Sequence, residues 1–219
     1  MKFPSLEYEQ PLDPSRKISL SDAVIGIAVT LLILEVKVPE GHSFSDEGLL
    51  KFLTKVGDQM LVCAVTFVLI GSYWMQHRRI VDHLKQTSAV IAWINLAFLF
   101  LISLTPFFAS LLGSYPNDQP AVLLFGASHV LCGLSLTLMW GVAAWLGVTD
   151  VSPSVRSNIL NGTLVAPVVC VAAIATSLVS RSLAIALFLS IPFWQLLFVI
   201  YSAGRQPGKS DNQRQVVSD

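Results

Sequence analysis

Four residues in this sequence could bind or pass a cation where water is scarce, Ser21 and Asp22 in RKISLSDAVIG, His77 in YWMQHRRI and Asn95 in WINLAF, and Arg16 stands beside them as a counter-charge. A carboxylate beside an imidazole can take up and release a proton; with an amide and a hydroxyl it can coordinate a desolvated ion or bond two helices together. The setting restricts the choice. Asp22 opens the apolar run AVIGIAVTLLIL, where an unpaired carboxylate costs several kcal/mol. Arg16, six residues earlier, and His77, at the end of a second apolar run, are the groups expected to pair with it, while Ser21 can instead cap the helix start. The cluster reads in two ways, as a gate latch or proton site, or as a knot that fixes helix packing.

The elements that hold these groups must be membrane helices. The chain is 53% apolar and only 13% charged, against about 25% charged in a soluble domain, and its mean hydropathy is +0.66. The apolar runs are continuous and approach the ~20 residues that cross a bilayer as a helix, unlike the alternating segments of a barrel. The expectation is an all-α integral membrane protein. A net charge of zero and the lack of a basic tract argue against a nucleic-acid partner. Cys63, Cys132 and Cys170 lie inside apolar runs with no metal-ligand spacing, so they read as small buried hydrophobes and no metal or cofactor is expected. Residues 1–15 are polar and Pro-rich, which suits a short cytosolic arm rather than a cleaved signal peptide. Residues 16–204 form the membrane domain in this reading, and 205–219 a polar, disordered tail.

Apolar runs predict six spans, near 19–38, 54–76, 88–113, 121–147, 158–179 and 182–203. An even number places both termini on one side. Lys2, Arg16, Lys17, Arg78, Arg79, Lys85, Arg156, Arg205, Lys209 and Arg214 share that side, whereas Lys37, Lys51, Lys55 and Arg181 fall on the other. The excess of basic residues makes the terminal side cytoplasmic. The first external loop carries Glu35, Glu40, Asp46, Glu47 and Asp58, either a cation-concentrating collar or an ordinary solvated loop.

At 100° per residue, the first helix has two unlike faces. Ile27, Leu31 and Leu34 form a column of large aliphatic side chains; Ser19, Asp22, Gly26 and Thr30 form a small and polar stripe, expected to be an internal seam where a neighbouring helix approaches closely.

These segments resemble a known family. RKISLSDAVIGIAVTLLILEVKVP resembles the RxxxFSD first-helix signature of the transmembrane protein 175 family of potassium channels, whose prokaryotic members have six helices. GSYWMQHRRI is similar to that family's Trp-x-x-His segment, with Trp74 and His77 in place, and WINLAFLFLISLTPFFASLLGSY to its Asn-Leu-rich third helix with an internal proline. Leu20 departs from the pattern, standing where the signature has Phe.

The resemblance implies a homotetramer in the cell membrane of a prokaryote, with the first helices lining one pore. Carried over by position, Ile27 forms the constriction, followed by Leu31 and Leu34, with Thr30 as a polar layer. Arg16, Ser21, Asp22, Trp74, His77, Trp93 and Asn95 form the motif network, and Glu35 sits at the pore mouth. The implied activity is potassium permeation with modest preference over sodium: no TVGYG-like carbonyl filter is present, and an apolar ring gates by dewetting. No span carries the spaced arginines of a voltage sensor. The partners implied are further copies of the chain, membrane lipids and K⁺ itself.

A proton- or ion-coupled carrier using Asp22, His77 and Asn95 is the main alternative, although carriers place such groups near the midplane on broken helices. An intramembrane enzyme would need a nucleophile with its base, or paired carboxylates, and neither occurs. A non-conducting scaffold is the remaining class. Pro106, Pro167 and Pro192 interrupt three spans, as static kinks or hinges. His129 reads as a hydrogen-bonded packing residue, the tryptophans as interfacial anchors, with Trp93 free to pack near Asp22, and the sequon at Asn161 as lying on the wrong side for glycosylation.

Overall fold

The computed structural model describes residues 14–36, 46–149 and 151–204. They form six α-helices in chain order: α1 Pro14–Leu34, α2 Asp46–Asp82, α3 Ala89–Ser114, α4 Gln119–Trp145, α5 Pro153–Ser177 and α6 Arg181–Gly204. The expected arm, apart from Pro14 and Ser15, and the whole of the expected tail lie outside the described residues, as do Lys37 and Glu40 of the first external loop. Within the described residues, four helices are long and apolar enough to cross a membrane: α2 over Val56–Asp82, α3, α4 and α5. The apolar parts of α1 and α6, Ser19–Leu34 and Leu183–Phe198, are shorter.

Two helices outrun their expected spans. HRRIVD, read as a break, forms the last turns of α2, because nothing in it interrupts helical hydrogen bonding before His83. VSPSVRS likewise opens α5: Ser152 is the N-cap, its hydroxyl accepting from Val155 N–H at 3.5 Å, and Pro153 occupies the first turn, where its missing donor is no loss. Ser88 caps α3 in the same way, accepting from Ile91 N–H. At the end of α4, Gly147 takes φ +69°, while Gly147 N–H bonds Ala144 O and Val148 N–H bonds Ala143 O, the paired arrangement that closes a helix on a left-handed residue. Val148 O then accepts Lys85 N–H at 3.0 Å, and Leu84 bridges Thr149, which ties the α2–α3 turn to the α4–α5 turn.

Each helix from α3 to α6 packs chiefly on its sequence neighbour, and α1 lies across α2 and α3. Small residues set the close approaches. A Cβ at Gly133 would overlap the Pro167 ring, and one at Gly126 would come within 2.6 Å of Ile174. Pro106 removes the donor that Ile102 O would receive in α3, and the Thr105 hydroxyl donates to that carbonyl at 2.7 Å instead. Tyr73, Phe98, Phe125 and Trp140 are fully enclosed in the core. His129 is buried there too, but differently from the expectation. Its ring packs against Tyr73 and Phe125 and neither ring nitrogen has a hydrogen-bond partner among the described residues; the Tyr73 hydroxyl donates to its backbone carbonyl.

Candidate functional site

The polar groups of the first three helices meet at one level. On α1, Ser21 is buried and Asp22 half-buried. Trp74 and His77, three residues apart on α2, occupy the face turned toward α1 and α3, and Asn95 reaches in from α3. Asp22 Oδ1 accepts the indole N–H of Trp74 at 2.7 Å. Asn95 donates through Nδ2 to Ser21 Oγ at 3.2 Å, and its Oδ1 lies 2.8 Å from His77 Nε2. Because an amide oxygen only accepts, this arrangement places a proton on His77 Nε2. The His77 ring also stacks on Phe98, 5.5 Å between centroids.

The pairing differs in detail from the expectation. Trp74 donates the hydrogen bond to Asp22, while the His77 ring bonds Asn95. The reason is reach: α2 presents the long indole toward α1, and the shorter imidazole meets α3. The Arg16 side chain lies outside the described residues. Trp93 does not join the network. It is 71% exposed and lines the outer wall of a groove of about 460 Å³ whose inner wall includes Ser21, His77 and Asn95.

The rest of α1 divides by burial. Ile25, Ala28 and Leu32 are at most 4% exposed and face the bundle, continuing the side begun by Ser21. Ile27, Leu31 and Leu34 point away from it, at 59%, 41% and 73% exposed. The expected small-residue seam is not an inner face of this chain. Ser19, Gly26 and Thr30 are exposed, and a Cβ at Gly26 would have no atom within 4 Å. Helices in lipid associate by van der Waals packing and hydrogen bonds, so the packing of Ile25 and Leu32 and the Asp22–Trp74 bond set how α1 is turned, and of the stripe only Asp22 is drawn in. Thr30 donates its hydroxyl to Ile27 O at 2.9 Å. Glu35, half-buried just past α1, borders a water-sized cavity with Gln59 and Ser110, and Gln59 Oε1 has no hydrogen-bond partner among the described residues. Among the described residues no cluster of His, Cys, Asp or Glu could hold a metal.

The sequence reading missed Arg78. Its guanidinium lies over the Trp74 ring, 5.4 Å from the centroid. The i, i+4 spacing of Trp74 and Arg78 was the available signal.

Comparison with known proteins agrees with this architecture. Residues 16–106 match the family model described as endosomal/lysosomal potassium channel TMEM175. A potassium channel of Chryseobacterium sp. (strain P1-3) is 29% identical over 124 residues, 57% of this chain and 62% of that protein, so the match spans less than two thirds of that relative. A potassium channel of Chamaesiphon minutus is 28% identical over 142 residues, 64% of this chain and 70% of its own length. The endosomal/lysosomal proton channel TMEM175 of Homo sapiens is 27% identical over 131 residues, 58% of this chain but 25% of the human protein. The crystal structure of a lysosomal potassium-selective channel TMEM175 homolog from Chamaesiphon minutus superposes with a TM-score of 0.75 at 24% identity, covering 86% of this chain and 97% of that one. The family is named for a channel, not an enzyme. Residues 16–106 of this chain are thus similar to the TMEM175 family, and its six helices take the fold of a TMEM175 homologue.

Proposed function

We propose that the chain is a potassium-permeable ion channel, formed by four copies around an axis lined by α1. The observation that carries this reading is the division of α1: Ile25, Ala28 and Leu32 are buried against the bundle, while Ile27, Leu31 and Leu34 are left uncovered along one line. Uncovered aliphatic residues alone would suit lipid. The match of residues 16–106 to the family model and the potassium-channel names of the bacterial relatives favour the pore instead. Four copies of Ile27 then form an apolar ring that opens by wetting, with Leu31 and Leu34 extending it and Thr30 beside them. The ring strips hydration rather than offering a carbonyl cage, so selectivity for K⁺ over Na⁺ is modest. Glu35 at the far end of α1 raises the local cation concentration. The excess of basic residues on the terminal side supports cytoplasmic termini, and the bacterial relatives support a prokaryotic cell membrane.

The test is potassium and sodium flux in liposomes from the wild type and from Ile27→Asn. Flux that prefers K⁺ and rises in the variant supports the pore and its ring. Flux that requires a proton gradient, and is insensitive to Ile27 but abolished in Asp22→Asn, would replace the channel with a coupled carrier.

A further inference from the structure

We infer that Arg78 is a positioning residue for α1, acting on Asp22 through the indole of Trp74. The carboxylate of Asp22 accepts Trp74 Nε1–H at 2.7 Å, and the guanidinium carbon of Arg78 stands 5.4 Å from the centroid of the same ring. Trp74 and Arg78 are one helical turn apart on α2, so a single face of that helix presents both.

The indole is thereby held at two points of opposite polarity. Its N–H edge, the positive rim of the ring system, meets a carboxylate; its π face, the negative part, meets a cation. A cation over the face withdraws electron density and makes the N–H a stronger donor, so each contact strengthens the other. Asp22 is in this way coupled to the positive charge of Arg78 through the ring. The arrangement also divides the cost of burial. Arg78 is exposed and keeps its hydration, Asp22 is half-buried, and the indole carries the interaction between them. A direct ion pair at the depth of Asp22 would have to desolvate both partners.

The consequence falls on α1. This helix is bonded to α3 through Ser21 and Asn95, and to α2 through Asp22 and Trp74. The strength of the second link is set by a residue at the exposed end of α2. The inference concerns that link itself, and only its flux readout rests on the channel reading.

Five tryptophans make the link observable. Protein labelled with 5-fluorotryptophan gives a fluorine resonance for Trp74, identified by its loss in Trp74→Phe. Arg78→Met is expected to move that resonance and to change potassium flux by about two- to fivefold, the range of an exposed cation–π contact. Arg78→Lys, which keeps a cation within reach of the ring, is expected to restore most of both. Added to Trp74→Phe, Arg78→Met is expected to change flux no further. An unmoved Trp74 resonance in Arg78→Met overturns the inference, and so does an undiminished flux effect in the Trp74→Phe background. A Trp74 resonance that moves in Arg78→Met, with no flux from the wild type, would sink the channel reading while upholding the link between Arg78 and Trp74.

Discussion

Asn95 is the residue on which two helices depend at once, since its amide donates to Ser21 on α1 and accepts from His77 on α2. Asn95→Leu fills similar space but strands both partners. The expected loss is about 1–3 kcal/mol, the cost of leaving buried polar groups unpaired, and thermal unfolding in detergent measures it. His129 is the opposite case. Its imidazole is buried among aromatic rings with both nitrogens unpartnered, and the one hydrogen bond at that position uses the backbone carbonyl. His129→Phe should therefore be neutral or stabilising, because it removes a desolvated polar group and keeps the Tyr73 contact. A loss above about 1 kcal/mol in the same assay would mean that a ring nitrogen is engaged.

Among the elements, α4 and α5 show how a glycine and a proline fix one another. Gly133 is the recess that receives the Pro167 ring, so Gly133→Ala must push the two helices apart. Overpacking of this kind costs about 1–3 kcal/mol. Gly141, two turns later on α4, has no atom within 4 Å of its Cβ position and is exposed. Gly141→Ala is the control and should stabilise the helix by up to about 1 kcal/mol. Equal effects of the two substitutions, compared by unfolding midpoint, would show that helix propensity rather than the Pro167 contact governs the site. The proline of α3 is accommodated by Thr105 rather than by a recess, which marks it as a settled feature of that helix and not a bare break.

At the scale of the whole molecule, the uncovered line of α1 needs a neighbour if it lines an axis. Oxidative cross-linking of single cysteine variants reads this directly. Ile27→Cys and Leu34→Cys are expected to give cross-linked dimers in the membrane, whereas Ala28→Cys and Leu32→Cys, whose side chains turn into the bundle, are not. The native Cys132 and Cys170 are buried and should stay silent in the comparison, and the half-buried Cys63 is replaced by Ser in every variant. Cross-linking from the buried pair alone would mean that α1 presents its other face to the neighbouring copy.

The membrane class, the helical fold, the number of helices and the need of Asp22 for a polar partner on the second helix were legible from residue types and their order, whereas Asn95 entered through the family resemblance. Apolar run length is a local property, and a carboxylate at the head of such a run demands polar company wherever the chain supplies it. Only the tertiary structure decided who keeps that company. Trp74 rather than His77 bonds Asp22 because the outcome depends on how far each side chain reaches across a helix pair, and Arg78 enters through the ring it covers. The same holds for α1: the wheel separated two faces, but which one turned inward was settled by Ile25, Ala28 and Leu32 packing on α2 and α3, a contest between helices that no single helix contains.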